Sequence, residues 1–480
     1  MTLIDRARTR YKSLPPPLRR AVGRAAGILP QRLRFGRTFS RTAAEIAHCE
    51  GNPEEALRCQ IALLQAQFLG AGRQSPFWRD RFAAAGIDEA AIAADPHAAL
   101  AALPILTRHE VRASPEAMLT RPLAALDLVT TSGSSGMPLR FHLDRDRSVT
   151  EYAFLIDAWR RAGFRPAEGQ AVLRGFEIPE VDRQPWEYMS GLRELRLSPF
   201  HMNDRWLPHY VAEISRRRIR FLNGYPSAIE ILSRHVIRAG CGDFGRSIRG
   251  IAPTSEPCHP HQVEILRRAF PEAAIVSFYG QTEKALFAIS DPDDPRLFRF
   301  NPLYGIAELV DAGGRRITTP GAQGRIVGTG LRFRGMPFLR YDTDDAAELV
   351  ELASPQNGYR LAVRNISPRR LTEFLIGRDG ELISNASLTI HSLAFDTMRT
   401  FMIEQDEPGR ARVKAVPAEG YDTGAVRSFV EELGRRTGGT LIFELQIVDE
   451  IPAGARGKRD WLRQGLDVSA YRDGTAAAAR

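Results

Sequence analysis

The stretch that decides the fold is Val129-Thr130-Thr131-Ser132-Gly133-Ser134-Ser135-Gly136-Met137-Pro138. Two β-favouring residues lead into a run of hydroxyl residues and glycines that proline closes, and apolar and basic residues then alternate from 139 to 142. This pattern predicts a strand, a loop and a second strand. Glycines let backbone N–H groups approach a ligand closely, and the four hydroxyls add donors, so the loop suits a polyphosphate. The alternative from composition alone is a serine–glycine linker.

Length and composition indicate a well-packed protein of more than one domain. The chain has 480 residues, of which 43% are hydrophobic and 8% aromatic, and such a length exceeds one ordinary core. It has no run of about 18 apolar residues and no apolar N-terminal signal segment, so neither a transmembrane helix nor secretion is expected. Four cysteines without a CxxC pair predict neither a disulfide framework nor a zinc framework, which favours a cytoplasmic location.

The net charge of +9 comes from the N-terminus. Residues 1 to 41 contain ten arginines and Lys12 against Asp5, so the rest of the chain is close to neutral. We therefore expect no specific nucleic-acid binding, but a basic, partly ordered arm over residues 1–45 that contacts an anionic membrane face or an acidic partner. A solvated extension and a transit peptide remain alternatives.

Short apolar runs alternate with helical patterns between the arm and residue 340. Apolar residues at helical spacing predict a helix over 54 to 71, and runs such as 219–222, 248–252 and 274–278 predict strands between further helices. Strands that alternate with helices imply an α/β domain with largely parallel sheet. The polar loops 223–227, 253–257 and 279–284 follow three of these strands, so we expect them to form the rim of one site.

The organisation changes beyond residue 340. An acidic turn is predicted at 342–345, followed by a hairpin over 401–416, a helix over 424–435 and a strand over 441–448. We predict an arm at 1–45, a large N-terminal domain of mixed, largely parallel sheets and helices at 46–370, and a small C-terminal α+β lid domain at 371–480 with a disordered tail.

Four motifs occur in a recognisable order: the loop at 131–138, Tyr279-Gly280-Gln281-Thr282-Glu283, Arg340-Tyr341-Asp342-Thr343-Asp344-Asp345, and Gly457-Lys458. With this set the chain resembles the AMP-forming adenylating superfamily of acyl-CoA ligases over roughly residues 55 to 465. Within it, the loop at 222–227 and the segment Leu197-Ser198-Pro199-Phe200-His201 are similar to the phenylacetate-CoA ligase-like branch, which includes relatives associated with capsular polysaccharide biosynthesis.

The resemblance implies that ATP activates a carboxylic acid to an acyl-adenylate, with Mg²⁺ as cofactor. It also implies transfer of the acyl group to a thiol, and coenzyme A is the expected acceptor. It implies a catalytic role for Lys458, Thr282 and Glu283, with Glu283 also holding the metal. The implied ATP-binding residues are Thr131, Ser132, Gly133, Ser134, Ser135, Gly136, Ser255, Glu256, Tyr279, Gly280, Gln281, Asp345 and Arg370. Residues near 175–230, which include several aromatic side chains, are expected to form the acyl pocket. Phe176, His201 and Tyr225 are the candidates for substrate binding.

Two departures from the family pattern leave alternatives open. Pro452 to Arg456 replaces the usual approach to Gly457-Lys458, and the interdomain hinge position falls near Thr372. Two alternatives therefore remain. The acyl acceptor could be an amine, a sugar or a carrier protein instead of CoA, or the chain could be a catalytically silent relative that binds nucleotide. The expected partners are small molecules, and the chain is expected to be a monomer or a homodimer.

Overall fold

The computed structural model describes residues 31–131, 139–166, 168–176, 178, 181, 183–367, 373–388, 394, 397–418, 421–451 and 462–472. The chain divides into two compact units that interleave in sequence. Unit 1 combines residues 1–129, 139–164 and 274–369, and unit 2 combines residues 130–138, 165–273 and 370–480. The domain boundaries at 45 and 370 remain a prediction.

The α-helices within the described residues are α1 (Gln31–Cys49), α2 (Pro53–Gln74), α3 (Pro76–Ala84), α4 (Glu89–Ala94), α5 (Pro96–Ala102), α6 (Arg108–Ala113), α7 (Arg147–Arg161), α8 (Leu207–Arg216), α9 (Pro226–Arg238), α10 (Gly242–Ser247), α11 (Pro260–Ala269), α12 (Thr423–Arg436) and α13 (Val468–Arg472). Within these residues, no helix is both long enough and apolar enough to cross a membrane.

The strands are β1 (Leu126–Thr130), β2 (Arg140–Asp144), β3 (Gln170–Leu173), β4 (Trp186–Met189), β5 (Glu194–Leu197), β6 (Phe221–Gly224), β7 (Gly250–Pro253), β8 (Ala274–Ile275), β9 (Phe278–Gly280), β10 (Phe287–Ser290), β11 (Leu297–Phe300), β12 (Gly305–Val310), β13 (Gln323–Gly330), β14 (Tyr341–Glu351), β15 (Ala362–Ser367), β16 (Phe374–Ile376), β17 (Leu382–Ser384), β18 (Met398–Glu407), β19 (Arg410–Pro417), β20 (Ile442–Ile447) and β21 (Leu462–Gln464).

The helix predicted near 54–71 is confirmed as α2. It begins after Asn52, whose side chain accepts a hydrogen bond from the backbone N–H of Glu55, and Pro53 occupies the first turn. Both features favour a helix start, since a cap satisfies an unpaired N–H and proline lacks one. Leu64 and Phe68, four residues apart, are fully buried, so one face of α2 forms part of the core of unit 1.

Unit 1 contains a seven-stranded sheet in the order β12-β13-β14-β15-β11-β10-β9. Every neighbouring pair in it is antiparallel. The predicted α/β class is confirmed, but the largely parallel arrangement applies to the sheet of unit 2. In unit 1 several consecutive strands are joined by connections too short for a parallel crossover, so they pair as hairpins.

The turn between β9 and β10 packs on two glycines at the far edge of the same sheet. A Cβ atom on Gly330 would lie 3.4 Å from the Cα atom of Ala285, and one on Gly305 would lie 2.9 Å from the carbonyl oxygen of Thr329 and closer still to that of Ala285. Gly305 and Gly330 face each other in the β12–β13 pair. The sheet therefore curls until its two edges meet, and glycine permits the close approach.

Unit 2 contains strands hydrogen-bonded in the order β4-β5-β3-β6-β7. The pairs β3–β5, β3–β6 and β6–β7 are parallel. All four residues of β3, β6 and β7 are buried, as expected for parallel strands that are covered on both faces. Their carboxyl ends therefore lie at one edge of the sheet.

The C-terminal part of unit 2 carries a four-stranded sheet in the order β20-β19-β18-β21 and the hairpin β16–β17. The hairpin, helix and strand predicted between 401 and 448 are confirmed as β18–β19, α12 and β20. Phe200 belongs to the same hydrophobic cluster as Phe401 and Phe429, so within unit 2 the C-terminal sheet shares a core with the segment that follows β5.

Two sequence-based expectations are wrong in detail. The single strand expected at 274–278 is divided into β8 and β9, because Ser277 exchanges hydrogen bonds with Ser290 outside either strand. The acidic turn expected at 342–345 lies inside β14. There Asp344 has a φ of 64°, and its backbone N–H donates to the Asp342 side chain over 3.0 Å. Turn chemistry is present, but the flanking residues still pair with β13 and β15.

We expect Gly305→Ala to lower the free energy of unfolding by about 1–3 kcal/mol, because the added methyl group meets backbone oxygens that cannot rotate away. Gly70→Ala is the matched control: its Cβ atom would have no neighbour within 4 Å, so a stabilisation of about 0.5–1 kcal/mol is expected in mid-helix. Urea denaturation followed by tryptophan fluorescence measures both. Equal midpoints for the two variants would contradict the close packing of the β9–β10 turn.

Candidate functional site

The Tyr279 to Glu283 motif lies at the end of β9 and in the turn that follows. Gln281 organises this turn: its Nε2 donates to Tyr279 Oη over 2.7 Å, and its Oε1 accepts from the backbone N–H of Leu286 over 3.2 Å. The backbone N–H of Lys284 donates to the Gln281 carbonyl oxygen over 3.1 Å. A turn held at three points presents Thr282 and Glu283 in one conformation.

Tyr279 joins the motif to β14. Its Oη donates to Asp345 Oδ2 over 2.7 Å, and its ring packs edge-on against Phe300. Burial of the hydroxyl raises the pKa of Tyr279 well above its ordinary value, and the neighbouring Asp345 raises it further. The phenol therefore stays protonated and donates to the carboxylate, which orients Asp345 as an acceptor for another hydroxyl.

Glu283 makes a second connection between the same two elements. Its Oε1 accepts from Tyr341 Oη over 2.9 Å, and the residue is buried with 7% exposure. Burial raises the pKa of Tyr341, and the Coulomb effect of Glu283 adds to it. A carboxylate that has one oxygen held by a neutral donor retains the other for a cation.

The donor set fits a magnesium ion that arrives with a phosphate ligand. Within the described ranges, no group of three or more Asp, Glu, His or Cys side chains is arranged to hold a metal. Mg²⁺ is commonly bound through one or two carboxylates together with substrate phosphates and water. Glu283 can supply the one carboxylate such a site needs, and the ion would neutralise phosphate charge beside it.

In unit 2, the loops that follow β6 and β7 are held together at the carboxyl edge of the parallel sheet. The backbone N–H of Thr254 donates to the Gly224 carbonyl oxygen over 2.9 Å, and that of Tyr225 donates to the Leu173 carbonyl oxygen over 3.1 Å. The first bond joins the two loops, and the second joins the loop after β6 to β3. Two of the three predicted rim loops therefore meet within unit 2, whereas the third belongs to unit 1.

Three buried polar atoms at this edge have no hydrogen-bond partner among the described residues. They are Asn223 Oδ1, Thr254 Oγ1 and Glu256 Oε1. Buried polar atoms in native proteins are nearly always paired, so an unpaired one indicates a place where a ligand or water completes the bonding. One hydroxyl and two further oxygens suit a ligand that carries amino or hydroxyl groups, as ATP does.

Glu256 also stabilises the first turn of α9. Its Oε2 accepts from the backbone N–H of Ser227 over 3.2 Å, which satisfies a donor that the helix leaves free. The carboxyl group is enclosed although other atoms of the residue are partly exposed, and this burial raises the pKa of Glu256. Ser255, beside it, has a φ of 68°, and its hydroxyl lies 3.4 Å from Arg174 Nη2.

The three candidate substrate-binding residues have different surroundings. Tyr225 is buried, and its Oη accepts from the backbone N–H of Gly175 over 3.3 Å, which places it beside Phe176. The Phe176 ring lies 4.2 Å from the Arg196 guanidinium. His201 is buried with its Nδ1 2.9 Å from Ser198 Oγ. The first two therefore share one region, while His201 belongs to the segment after β5.

Several predicted site residues lie outside the described part of the chain. They are Ser132, Gly133, Ser134, Ser135, Gly136, Arg370 and Lys458. Thr131, at the start of the loop, is buried with 8% exposure. Gly280 is exposed and Thr282 half-buried, so both are accessible beside Glu283.

The sequence interpretation missed the supporting residues of the site. No role was predicted from the sequence for Tyr341, Asn223 or Thr254, although all three lie inside the quoted motifs or next to them. Asn223 and Thr254 could have been identified from their positions in the sequence. A polar residue at the carboxyl end of a buried parallel strand lies next to the edge of the sheet where ligands bind. The Tyr341–Glu283 bond had no such signal, since it joins residues far apart in sequence.

Comparisons with known proteins agree with this geometry at the level of fold. No protein-family model matches the chain. Protein CapK of Staphylococcus aureus is 20% identical over 363 residues, which cover 74% of this chain and 78% of that protein. A 2-hydroxyisobutyryl-CoA ligase solved with 2-HIB-AMP and CoA in the thioesterification state aligns with a TM-score of 0.53 and 16% identity, over 88% of this chain and 92% of its own. In an open conformation with the same ligands it aligns with a TM-score of 0.51 and 16% identity, over 84% and 90%.

We expect Glu256→Gln to raise the thermal midpoint at about pH 8 by about 1–3 °C. A carboxyl whose pKa is higher in the folded than in the unfolded state contributes stability at low pH, and this contribution is lost as the pH rises through the folded pKa. The amide avoids that loss and can still accept from Ser227. The gain should shrink as the pH falls toward about 4.5, near the ordinary glutamate value.

Differential scanning fluorimetry across this pH range provides the measurement. Glu264→Gln, at an exposed position of α11, is the matched control and should leave the midpoint unchanged at every pH. A midpoint for Glu256→Gln that falls equally at both ends of the range would contradict the raised pKa of the buried Glu256 carboxyl.

Proposed function

We propose that this chain activates a carboxylic acid with ATP and transfers the acyl group to a thiol, with coenzyme A as the expected acceptor. The chain has the fold of the AMP-forming acyl-CoA ligases. The observation that carries the proposal is the pair of hydrogen bonds Tyr279–Asp345 and Tyr341–Glu283. They bring a hydroxyl acceptor and a metal-binding carboxylate to the same two elements of a nucleotide-binding fold.

In the proposed first half-reaction, a carboxylate oxygen of the substrate attacks the α-phosphorus of ATP and the bond to the bridging oxygen breaks, which releases pyrophosphate. Thr282 donates to the α-phosphate, Asp345 accepts from the ribose hydroxyls, and Tyr279 lies against the adenine. Glu283 would hold a magnesium ion, which would offset phosphate charge. Lys458 stabilises the charge that develops on the bridging oxygens.

In the proposed second half-reaction, a thiol sulfur attacks the acyl carbonyl carbon, AMP leaves and the thiol proton is lost. The ligase of similar fold was solved with an acyl-adenylate and CoA together, which supports CoA as the acceptor. The aromatic residues near the carboxyl edge of the unit 2 sheet, Phe176 and Tyr225, support an aryl or fatty acid as the substrate.

The decisive experiment is acid-dependent exchange of labelled pyrophosphate into ATP, screened over aryl, fatty and amino acids. Exchange with one acid class and thioester formation on addition of CoA are the expected results. Exchange without thioester would indicate an amine, sugar or carrier-protein acceptor, and these are tested next by mass spectrometry of the acylated product. Absence of exchange across the panel would favour a silent nucleotide-binding relative.

We expect Lys458→Ala to lower the exchange rate by about 10²- to 10³-fold, because it removes a group that acts on transition-state charge. Transfer to CoA from chemically prepared acyl-adenylate bypasses the ATP step, so it should change much less. Lys458→Arg should restore little, since a planar guanidinium does not replace a point charge. A rate for Lys458→Ala within about twofold of the wild-type rate would show that the role assigned to this lysine is wrong.

The basic arm is proposed to dock the protein on an anionic membrane face. Helix α1 belongs to the body of unit 1, since Phe39 is buried and the Phe35 ring lies 4.8 Å from that of Tyr152. Deletion of residues 1–30 should therefore leave exchange unchanged and abolish sedimentation with phosphatidylserine vesicles in low salt. Retained sedimentation would contradict the membrane role, and loss of exchange would show that these residues support the fold.

A further inference from the structure

Lys284 directly follows Glu283 in the β9–β10 turn and has an uncommon backbone conformation. Its φ is 60°, in the left-handed region that long side chains seldom adopt. Surrounding contacts must hold a residue in this conformation. The closest such contact is made by the Lys284 side chain itself.

The Lys284 ammonium forms a close ion pair with Glu151. Its Nζ lies 2.6 Å from both carboxylate oxygens, and the two side chains are only 20% and 17% exposed. A pair at this distance and with this burial is screened little by solvent. Lysine is also rare in this chain, with four among the 66 basic residues. A compact ammonium can lie between two oxygens of one carboxylate, whereas a guanidinium is longer and planar.

Glu151 belongs to α7, and the same face of this helix makes a second ion pair one turn earlier. Arg147 Nη1 donates to Asp127 Oδ2 over 2.7 Å, and residues four apart lie on one face of a helix. Asp127 is part of β1, the strand that runs directly into the loop at 131–138. Helix α7 is therefore bonded both to β1 and to the turn that carries Thr282 and Glu283.

Helix α7 is itself held firmly against the sheet of unit 1. Phe154, on its next turn, is fully buried and packs on the rings of Phe287 in β10 and Tyr304. Phe287 is the first residue after the turn that contains Lys284. Because the helix is fixed by this packing, the ion pair can transmit its position to the turn.

We propose that Lys284 and Glu151 are positioning residues that hold the Thr282–Glu283 turn against α7. This inference rests on the proposed function, since it assigns the pair to the ATP and metal site. The pair acts through Thr282 and Glu283 and does not contact substrate. Without it, the left-handed turn loses its main support on the α7 side, and Glu283 no longer stands where the metal and the phosphates meet.

The test compares Lys284→Ala, Glu151→Gln and the double variant by pyrophosphate exchange at varied ATP and Mg²⁺. Each single variant should lower kcat/KM for ATP by about 10- to 100-fold and raise the Mg²⁺ concentration for half-maximal rate, as loss of support for a metal ligand does. The double variant should lose no more than either single variant, because both changes break the same interaction. Lys284→Arg should recover only part of the rate.

Lys414→Ala is the matched control. Lys414 pairs with Glu404 over 2.7 Å, with side-chain exposures of 23% and 5%, so the variant loses a comparable ion pair in unit 2. Because Lys414 lies in β19 of the C-terminal sheet, this variant should show a lower thermal midpoint and an unchanged Mg²⁺ requirement. The inference is overturned if folded Lys284→Ala behaves in the same way. It is also overturned if Glu151→Gln keeps full ATP affinity while Lys284→Ala loses it, which would mean that Lys284 binds phosphate directly.

Failure of this inference can be told apart from failure of the proposed function. If the wild-type protein exchanges pyrophosphate and both single variants match it, only the positioning role is wrong. If the wild-type protein shows no exchange with any acid, equilibrium binding of ATP with Mg²⁺ replaces the rate. Weaker ATP binding by both single variants, with unchanged binding by Lys414→Ala, then supports the inference; equal binding by all overturns it.

Discussion

The hydrogen bond between Tyr279 and Asp345 is the contact on which the site in unit 1 depends. Tyr279 lies on β9 at one edge of the seven-stranded sheet, and three strands separate it from β14. In a flat sheet, strands this far apart would lie about 19 Å from each other, at about 4.8 Å per step. A tyrosine and an aspartate cannot bridge that gap, so a 2.7 Å bond between them requires the sheet to curl.

The sheet can curl because small residues and buried aromatic side chains lie between the edges that approach each other. Gly305 and Gly330 leave room for the backbone of Ala285, and Phe287 and Tyr304 bury the inner surface under α7. The same closure brings Glu283 to Tyr341, and Lys284 of the same turn pairs with Glu151 on α7. Polar groups from distant parts of the sequence thus satisfy one another inside unit 1, at positions where an apolar side chain would pack more simply.

Unit 2 differs from unit 1 in that some of its buried polar atoms are not paired by the described residues. Asn223, Thr254 and Glu256 each keep a buried oxygen without a partner among the described residues, and burial raises the pKa of Glu256. Unpaired buried oxygens lower stability, and folded proteins accept this cost mainly where a ligand supplies the missing bonds. The parallel strands beneath are buried on both faces, so the stability of the unit comes from that core.

Local sequence patterns were enough to predict most of the elements and the chemistry they carry. Helical spacing in α2, apolar runs in β3, β6 and β7, and polar residues at strand ends are local patterns, and each needs only a few neighbouring residues to be recognised. The residues that support the motifs become apparent from long-range contacts in the folded chain. The bonds Tyr341–Glu283 and Lys284–Glu151 join residues separated by 58 and 133 positions. The first exists because an antiparallel sheet curls on its glycines, the second because α7 packs on that sheet, and no local spacing records either arrangement.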